Sequence, residues 1–155
     1  MHDRPGVHEP DAIPTPGRRL RRAARILLTD PAGRLLLFRF TPAGVPAFWC
    51  TPGGECDAGE AYAAAARREL REETGLDLPP GPEVHRIVAD FVIFTGEAIT
   101  ADERYFRVAA PHDRVHTHGH TALEREVMQE HRWFTREDLA SWTETIYPLE
   151  ILKLL

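Results

Sequence analysis

Three glutamates with helical spacing are the residues of this sequence best suited to chemistry. Glu69, Glu72 and Glu73 stand at positions i, i+3 and i+4, a spacing that brings side chains to one face of a helix. Like charges so placed destabilise an isolated helix, so a compensating cation is expected. A set of ligands made of oxygens alone favours a hard divalent ion, Mg²⁺ or Mn²⁺, held by a few carboxylates and by substrate phosphates.

The helix that must carry these glutamates is predicted over residues 60–74. The stretch is rich in alanine, arginine and glutamate, which are strong helix formers, and Gly75 follows where a C-capping glycine belongs. Ala63, Ala66 and Leu70 are expected to pack against a sheet and to leave the acidic stripe on the other side. One rigid helix would then serve both packing and metal binding.

Short apolar runs around this helix predict a mixed sheet. The turn 30–33 has Pro at its second position and Gly at its fourth, which suits a hairpin turn. Thr135 is a predicted N-cap for a helix that begins at Arg136, and a last short helix is predicted after Pro148. The predicted strands or extended segments are residues 23–29, 34–40, 48–51, 84–94, 104–110 and the end of 127–134.

Length and composition limit the class of protein. With 155 residues, 43 % of them hydrophobic and 28 % charged, the chain fits one ordinary soluble domain. We expect a tail or edge segment over 1–20 and a single domain over 21–155. No apolar run approaches the ~18–20 residues of a membrane span, and the first residues lack the apolar core of a signal peptide.

Charge and cysteine usage narrow the class further. The net charge of −5 makes a general nucleic-acid binder unlikely, because such proteins are usually basic. The two cysteines, Cys50 and Cys56, match neither a CxxC pair nor a zinc-site spacing. A reduced, cytoplasmic setting is therefore expected. Cys50 itself is interpreted as a small buried residue rather than as a nucleophile.

The stretch that contains the glutamates resembles the signature of the Nudix hydrolases. That signature is Gly-x5-Glu-x7-Arg-Glu-U-x-Glu-Glu-x-Gly-U, where U is aliphatic. Every position is filled here, by Gly54, Glu60, Arg68, Glu69, Leu70, Glu72, Glu73, Gly75 and Leu76. The likeness extends to AARILLTDPAGRLLLFRF and FWCTPGGE before the box and to EHRWFTREDL after it, and so covers most of residues 20–142.

The resemblance implies a fold, an activity and a metal. The implied fold is of the α/β class, a mixed sheet between helices in the Nudix α/β/α sandwich. The implied reaction is hydrolysis of the pyrophosphate bond in a nucleoside diphosphate linked to another group X, with Mg²⁺ as cofactor and Mn²⁺ as a substitute. Glu69, Glu72 and Glu73 would hold the metal, with the Gly53 carbonyl as an extra ligand, and Arg68 would steady the carboxylates.

A further glutamate is expected from a loop before the late strand. Many family members supply one there, and the candidates are Glu124, Glu126 and Glu130. Glu124 is favoured because TALER lies just ahead of the EHRWF strand, as in the family. One glutamate of the box or of this loop would orient or deprotonate the attacking water. Glu60, at the start of the predicted helix, would support the site and suit the helix dipole.

Several other residues are candidates for substrate contacts. Arg39 and Arg104 lie on predicted strands and could reach a phosphate, while Glu103 and Tyr105 could contact base or ribose. Trp49 could stack on a base, although core packing is the stronger interpretation.

Two segments rich in arginine or histidine can each be interpreted in two ways, as a ligand site or as solvated surface. The arginines within 18–22 could meet an anionic ligand, but a solvated lead-in to a strand is favoured. Four histidines fall within 111–121, namely His112, His116, His118 and His120. They could bind a metal or a substrate, and solvated loop histidines are the favoured interpretation.

Other functions remain open beside the hydrolase. A Nudix-like module that senses a nucleotide without cleaving it should have lost acidic ligands, and none is lost here. An isomerase on a related fold would need a different set of cysteine and glutamate contexts. The substrate itself stays undetermined among compounds that share a pyrophosphate, and a homodimer is an open expectation.

Overall fold

The computed structural model describes residues 9–93, 95–128 and 130–155. Within these residues the strands are β1 (Arg19–Thr29), β2 (Leu35–Phe40), β3 (Phe48–Cys50), β4 (Gly53–Glu55), β5 (Glu83–Val92), β6 (Ala98–Ala109), β7 (Glu130–Phe134) and β8 (Thr145–Tyr147). The helices are α1 (Tyr62–Thr74), α2 (Ala122–Val127), α3 (Arg136–Ser141) and a 3₁₀ helix, Ile151–Leu154.

The strands form one mixed sheet that opens between its two central members. Its order is β5-β6-β1-β2-β3-β8, with β4 paired to β1 and β7 paired to β2. The pairs β1–β6 and β3–β8 are parallel, and the other pairs are antiparallel. The register of β1 with β2 holds Thr29 opposite Leu35. Further from the turn, β1 pairs instead with β4, which brings the glycines at 53 and 54 beside the middle of the sheet.

Helices cover both faces of this sheet. On one face Tyr62, Ala65, Ala66 and Leu70 of α1 pack on alternate residues of β1, β2 and β6. On the other face α3 and the 3₁₀ helix pack, through Leu139 and others, on the opposite set of residues. Period-two alternation of buried side chains requires such a two-sided core. The predicted α/β/α sandwich is confirmed.

The predicted hairpin turn and the predicted start of α3 are confirmed, whereas β1 and α1 begin at other residues than predicted. The hairpin turn closes through Gly33 N–H to Asp30 O at 2.9 Å, and α3 begins at Arg136 behind Thr135, as predicted. β1 begins earlier than residue 23 and α1 later than residue 60. Phe94, the predicted end of a strand, lies outside the described residues.

Three short elements were not predicted. Residues 53–55 form β4, although the glycines there were interpreted as the end of an extended segment, because pairing with β1 supplies hydrogen bonds that local propensity does not. Residues 145–147 form β8 in the same way against β3. Residues 122–127 form α2 inside a stretch interpreted as loop and strand approach.

The segment before β1 packs on the sheet from residue 9 onward. The Ala12 N–H donates to Asp102 at 2.9 Å, and the Thr15 N–H donates to Thr100 at 3.0 Å. Arg86 bonds both Asp102 and the Pro10 carbonyl. Among the described residues, no helix is long and apolar enough to cross a membrane.

Candidate active site

The rotational phase of α1 decides which glutamates approach one another. Tyr62, Ala65, Ala66 and Leu70 are buried, whereas Ala63 is exposed, so its predicted place on the packing face is wrong. Glu69 and Glu73 lie at the edge of this buried face, 8 % and 1 % exposed. The acidic stripe is therefore not opposite the packing face but partly buried beside it.

Three carboxylates converge at this edge. One oxygen from each of Glu69, Glu73 and Glu124 lies within 4.8 Å of the other two. Glu69 and Glu73 come from α1, and Glu124 comes from α2, 51 residues further along the chain. These three residues are called the glutamate trio below. Their spacing is that of oxygens around one shared cation.

The trio is electrostatically unfavourable without such a cation. Burial, and then the charge of Glu69, raise the pKa of the Glu73 carboxyl well above its ordinary value, although a hydrogen bond from Gly53 opposes this. Burial also raises the pKa of Glu69 more than the charge of Arg68 lowers it. Buried carboxylates that repel one another fit a site for a hard divalent ion.

Arg68 holds the carboxylates around the trio in place. Its guanidinium donates to both oxygens of Glu60 at 2.8 and 3.0 Å, to Glu69 at 2.9 Å and to Glu72 at 3.2 Å. Hydrogen bonds to Glu60 are the main reason why the pKa of Arg68 is raised. Glu60 precedes α1 and lies outside its first turn, so its role is to fix Arg68 rather than to suit the helix dipole.

Glu72 lies beside the trio, at its exposed rim, and shares the Arg68 guanidinium with Glu69. It shares the predicted face in sequence, but its side chain is 39 % exposed and its Oε2 faces Arg68. The structure thus brings Glu69, Glu73 and Glu124 together and leaves Glu72 at the rim. Its role as a metal ligand stays a prediction.

Two glycines let backbone approach the trio closely. The Gly53 N–H donates to Glu73 Oε2 at 2.6 Å, and its φ of 142° is a conformation that side chains rarely permit. A Cβ on Gly54 would lie 2.7 Å from Glu69 Oε1. Gly54 is therefore required by the position of Glu69, and Gly53 by its φ and by the β1 backbone, where a Cβ would lie 2.1 Å from the Ala24 carbonyl oxygen. The predicted ligand role of the Gly53 carbonyl stays a prediction.

Helix α2 presents Glu124 by a local capping box. The Thr121 hydroxyl accepts from the Glu124 N–H at 3.1 Å, and the Glu124 Oε1 accepts from the Thr121 N–H at 3.0 Å. This reciprocal pair fixes the side chain of Glu124 relative to the start of α2. The favoured choice among the three later glutamates is thus the one that reaches the trio.

The histidine segment packs on the C-terminal end of α1. His120 is 7 % exposed, and its Nε2 lies 2.9 Å from the carbonyl oxygen of Glu73. The His116 N–H donates to the Thr74 carbonyl at 2.8 Å, and a Cβ on Gly119 would meet the Glu72 carbonyl at 2.4 Å. The interpretation of solvated loop histidines is wrong for His120, because unsatisfied helix carbonyls attract donors.

The predicted substrate contacts are engaged elsewhere. Arg39 donates to both oxygens of Glu144 at 2.8 and 3.0 Å. Trp49 is 1 % exposed and donates to the same Glu144 at 2.9 Å, so its ring lies in the core and offers no face to a base. Arg104 is 4 % exposed, beside Asp102 and over the Tyr62 ring near the start of α1. The contacts of these three side chains are with residues outside the trio, and their substrate roles stay predictions.

The sequence analysis missed Arg25 of β1 and its pairing with Arg21, which was considered only as part of 18–22. Arg21 and Arg25 both approach the Glu103 carboxylate, and Arg25 is opposite Gly53 in the β1–β4 pair. Their spacing of four residues in a strand places them on one face, which is the signal that could have identified them. Arg21 is 16 % exposed, so a solvated lead-in is the wrong interpretation for it.

Of the remaining candidates, Tyr105 is buried and Cys50 is half-buried. Tyr105 is 3 % exposed and packs against the His85 ring. Burial raises the pKa of the Cys50 thiol to about 12, so Cys50 is protonated at neutral pH and a poor nucleophile.

Comparison with known proteins agrees with this geometry. The family model described as NUDIX domain matches residues 19–155. The comparison with curated proteins gives no match.

Solved structures of similar fold belong to the same family. A MutT protein from Methanosarcina mazei Go1 is 19 % identical, with a TM-score of 0.65 over 90 % of this chain and 93 % of that chain. A MutT NUDIX hydrolase from Burkholderia pseudomallei is 22 % identical, with a TM-score of 0.59 over 89 % of this chain and 99 % of that chain. The NUDIX domain of Shewanella oneidensis NrtR, complexed with ADP ribose, is 14 % identical, with a TM-score of 0.65 over 90 % of this chain and 87 % of that chain. At these identities the likeness is one of fold, and the family match over residues 19–155 is what shows that the chain belongs to the Nudix family.

Proposed function

We propose that this chain hydrolyses the pyrophosphate bond of a small nucleoside diphosphate derivative with Mg²⁺ as its cofactor and Mn²⁺ as a substitute. The observation that carries the proposal is the glutamate trio, whose oxygens lie within 4.8 Å of one another. Two of its members are almost fully buried. Their donor atoms are all carboxylate oxygens, which suits Mg²⁺ better than a softer metal.

The residues of the trio and their neighbours have two proposed roles, metal binding and the positioning of the carboxylates. Glu69, Glu73 and Glu124 would hold the metal, and Glu72 and the Gly53 carbonyl are the further proposed ligands. When bound, the metal supplies charge neutralisation at the phosphoryl oxygens and makes the attacking water more acidic. Arg68 fixes Glu60, Glu69 and Glu72 in one hydrogen-bonded group, so the carboxylates need little rearrangement.

Glu124 is the proposed group for orienting the attacking water. It is the only half-buried member of the trio, whereas Glu69 and Glu73 are buried. A general base must lie within hydrogen-bond reach of the water that it deprotonates, and a group at the solvent side meets that need. Its capping hydrogen bond to Thr121 keeps it in one orientation.

A release assay tests this proposal. Purified protein would be incubated with Mg²⁺ or Mn²⁺ and a panel of nucleoside triphosphates, dinucleoside polyphosphates, nucleotide sugars and ADP-ribose, the last because a structural neighbour binds it. We expect phosphate or nucleotide release from at least one class. Glu73→Gln should reduce the rate by at least about 100-fold, while Glu137→Gln, an exposed glutamate of α3, should leave it unchanged.

The outcomes separate an enzyme from a sensor. Near wild-type turnover by Glu73→Gln would contradict the assignment of the trio. Tight binding of one nucleotide without turnover would favour the non-catalytic sensor. A homodimer and a cytoplasmic location also stay proposals, which light scattering and cell fractionation would test.

A further inference from the structure

Two arginines converge on one carboxylate on the face of the sheet that carries α3. Arg21 Nη1 lies 3.9 Å, and Arg25 Nε 3.3 Å, from the same atom, Glu103 Oε2. The three side chains are 16 %, 16 % and 12 % exposed. The cluster therefore places two positive charges and one negative charge in a recess mostly removed from water.

The hydrogen-bonding capacity of this arginine pair is largely unused. Among the described residues, the Arg21 guanidinium makes no hydrogen bond and Arg25 makes one, to Glu103. Burial, and then the charge of Arg25, lower the pKa of Arg21. A guanidinium so placed costs stability unless a second anion joins it.

Arg25 of the arginine pair lies close to Glu73 of the glutamate trio. Arg25 is the ladder partner of Gly53, and the Gly53 N–H donates to Glu73 of the trio at 2.6 Å. An anion on the arginines would thus be close to a group held by the trio.

The sheet beneath the arginine pair is made of small residues. Ala23 and Ala101, small residues of β1 and β6, share the face with Glu103 and are fully buried. Further along the same strands, Leu27 and Tyr105 belong to the core that Ile151 of the 3₁₀ helix covers. At the end of the face with the arginines, the three charged side chains lie beside Glu55 of β4, the ladder partner of Ala23, and Ile87 of β5, the partner of Glu103.

We propose that Arg21 and Arg25 bind the phosphoryl group of the substrate that lies away from the glutamate trio, with Glu103 holding the two guanidiniums in position. This inference rests on the proposed function, because it assigns one phosphoryl group of the diphosphate to the metal site and the other to the arginine pair. The planar guanidinium suits a phosphoryl group better than an ammonium does. The preferred substrates are therefore those with two linked phosphates rather than monophosphates.

Metal-free binding of inorganic pyrophosphate tests the pair directly. Isothermal titration calorimetry in EDTA would compare wild type with Arg21→Gln, Arg21→Lys and Arg114→Gln. We expect Arg21→Gln to raise the Kd of pyrophosphate at least about tenfold and Arg21→Lys to raise it less. Arg114 is an exposed loop residue, so Arg114→Gln loses the same charge and should bind as wild type does.

Thermal stability separates a ligand role from a structural one. Arg21 makes no side-chain hydrogen bond among the described residues and is repelled by Arg25, so Arg21→Gln should keep or raise the Tm while binding weakens. A structural ion pair would instead lose Tm on the same substitution. With an active substrate, Arg21→Gln should raise KM about tenfold and change kcat less.

Each result decides the matter. The proposal is overturned if wild type fails to bind pyrophosphate at millimolar concentration, if Arg21→Gln binds it equally well, or if Arg114→Gln loses as much. Glu73→Gln should retain pyrophosphate binding in EDTA, since the arginine pair acts without metal. Failure of the proposed function would appear as absent turnover with this binding intact, and failure of the arginine site as turnover with an unchanged KM.

Discussion

At the site, some carboxylates lie so close to a glycine that a Cβ there would collide with them. Gly54 is the sharpest case, because a methyl group there would lie 2.7 Å from Glu69 Oε1 and 2.9 Å from its carboxyl carbon. Contacts this short force one partner to move. The glycine of the family signature is thus explained by the carboxylate that lies against it.

Gly54→Ala should therefore remove activity more than stability. Displacement of Glu69 breaks the trio, and we expect kcat to fall by at least about tenfold, since misplacement by 1 Å can cost ~100-fold. Steady-state kinetics and thermal unfolding would be measured together. Gly33→Ala is the control: its φ of 78° strains a side chain in open space, so it should cost about 1–2 kcal/mol and leave kcat unchanged. Equal activity of Gly54→Ala and wild type would contradict the steric argument.

Asp102 shows how a buried carboxylate stabilises the fold away from the site. Its side chain is fully buried. Burial alone would raise its pKa, but hydrogen bonds from Arg86, the Ala12 N–H and Arg104 outweigh this and lower the pKa to about 2. A folded-state pKa below the ordinary 3.8 means stability that is present above pH 4 and lost as the pH falls towards 2.

Asp102→Asn should cost at least about 2 kcal/mol at pH 7. Because wild type loses this contribution on acidification, the difference between the two proteins should shrink towards pH 2. Urea unfolding at several pH values measures it. Asp77→Asn breaks an exposed pair with Arg67 and should cost far less stability than Asp102→Asn, because solvent screens such pairs. A difference that does not change with pH would refute the ionic origin.

At the scale of elements, the site depends on how α2 docks against α1. The segment 116–120 covers the last carbonyls of α1, with Gly119 against Glu72 and His120 on the Glu73 carbonyl. The capping box of α2 begins at the next residue, Thr121. The position of Glu124 is thus set by a contact made four to five residues earlier.

Gly119→Ala should weaken catalysis without touching a carboxylate. The added methyl would meet the Glu72 carbonyl at 2.4 Å, so the segment must move away from α1 and take Glu124 with it. We expect a fall in kcat of about 10–100-fold, in the range seen for supporting residues of metal sites. Leu123→Ala, at an exposed position of α2, is the control and should be active.

A double-mutant cycle identifies the cause. If Gly119→Ala acts by displacing Glu124, then Glu124→Gln should lower kcat less in the Gly119→Ala background than in wild type. Additive effects on the free energy of activation would instead show that the two residues act independently.

At the scale of the whole molecule, the trio couples metal binding to folding. Buried, mutually repelling carboxylates destabilise the metal-free protein, and a ligand that binds only the folded state stabilises it. At 100 times its Kd, Mg²⁺ or Mn²⁺ should add about 2.7 kcal/mol, which is about 5–10 °C in Tm for a chain of this length.

Glu73→Gln should remove part of the destabilisation of the metal-free protein and part of the stabilisation by metal. Without one charge of the trio, the metal-free variant should melt at or above the wild-type Tm, and metal should raise its Tm by less. Differential scanning calorimetry in EDTA and in excess metal measures both. The same metal-induced rise in both proteins would contradict the trio as the metal site.

Much of this protein follows from its sequence alone. Residues 54–76 determine a helix with a C-capping glycine, an acidic group and a family, because spacing along one helix fixes which side chains are neighbours. The hairpin at 30–33 and the Thr135 cap are equally local, since each depends on residues within a single turn.

Only the tertiary structure decided which side chains form the site. The phase of α1 buries Glu73 and leaves Glu72 at the rim, and the docking of 116–120 brings Glu124 from a distant segment. Pairing of β1 with β4 and β6 gathers Arg21 and Arg25 beside Glu103, while Arg104 and Trp49 face other partners. Local periodicity gives the face of an element but not its neighbour, because contacts between distant segments depend on packing of the whole chain.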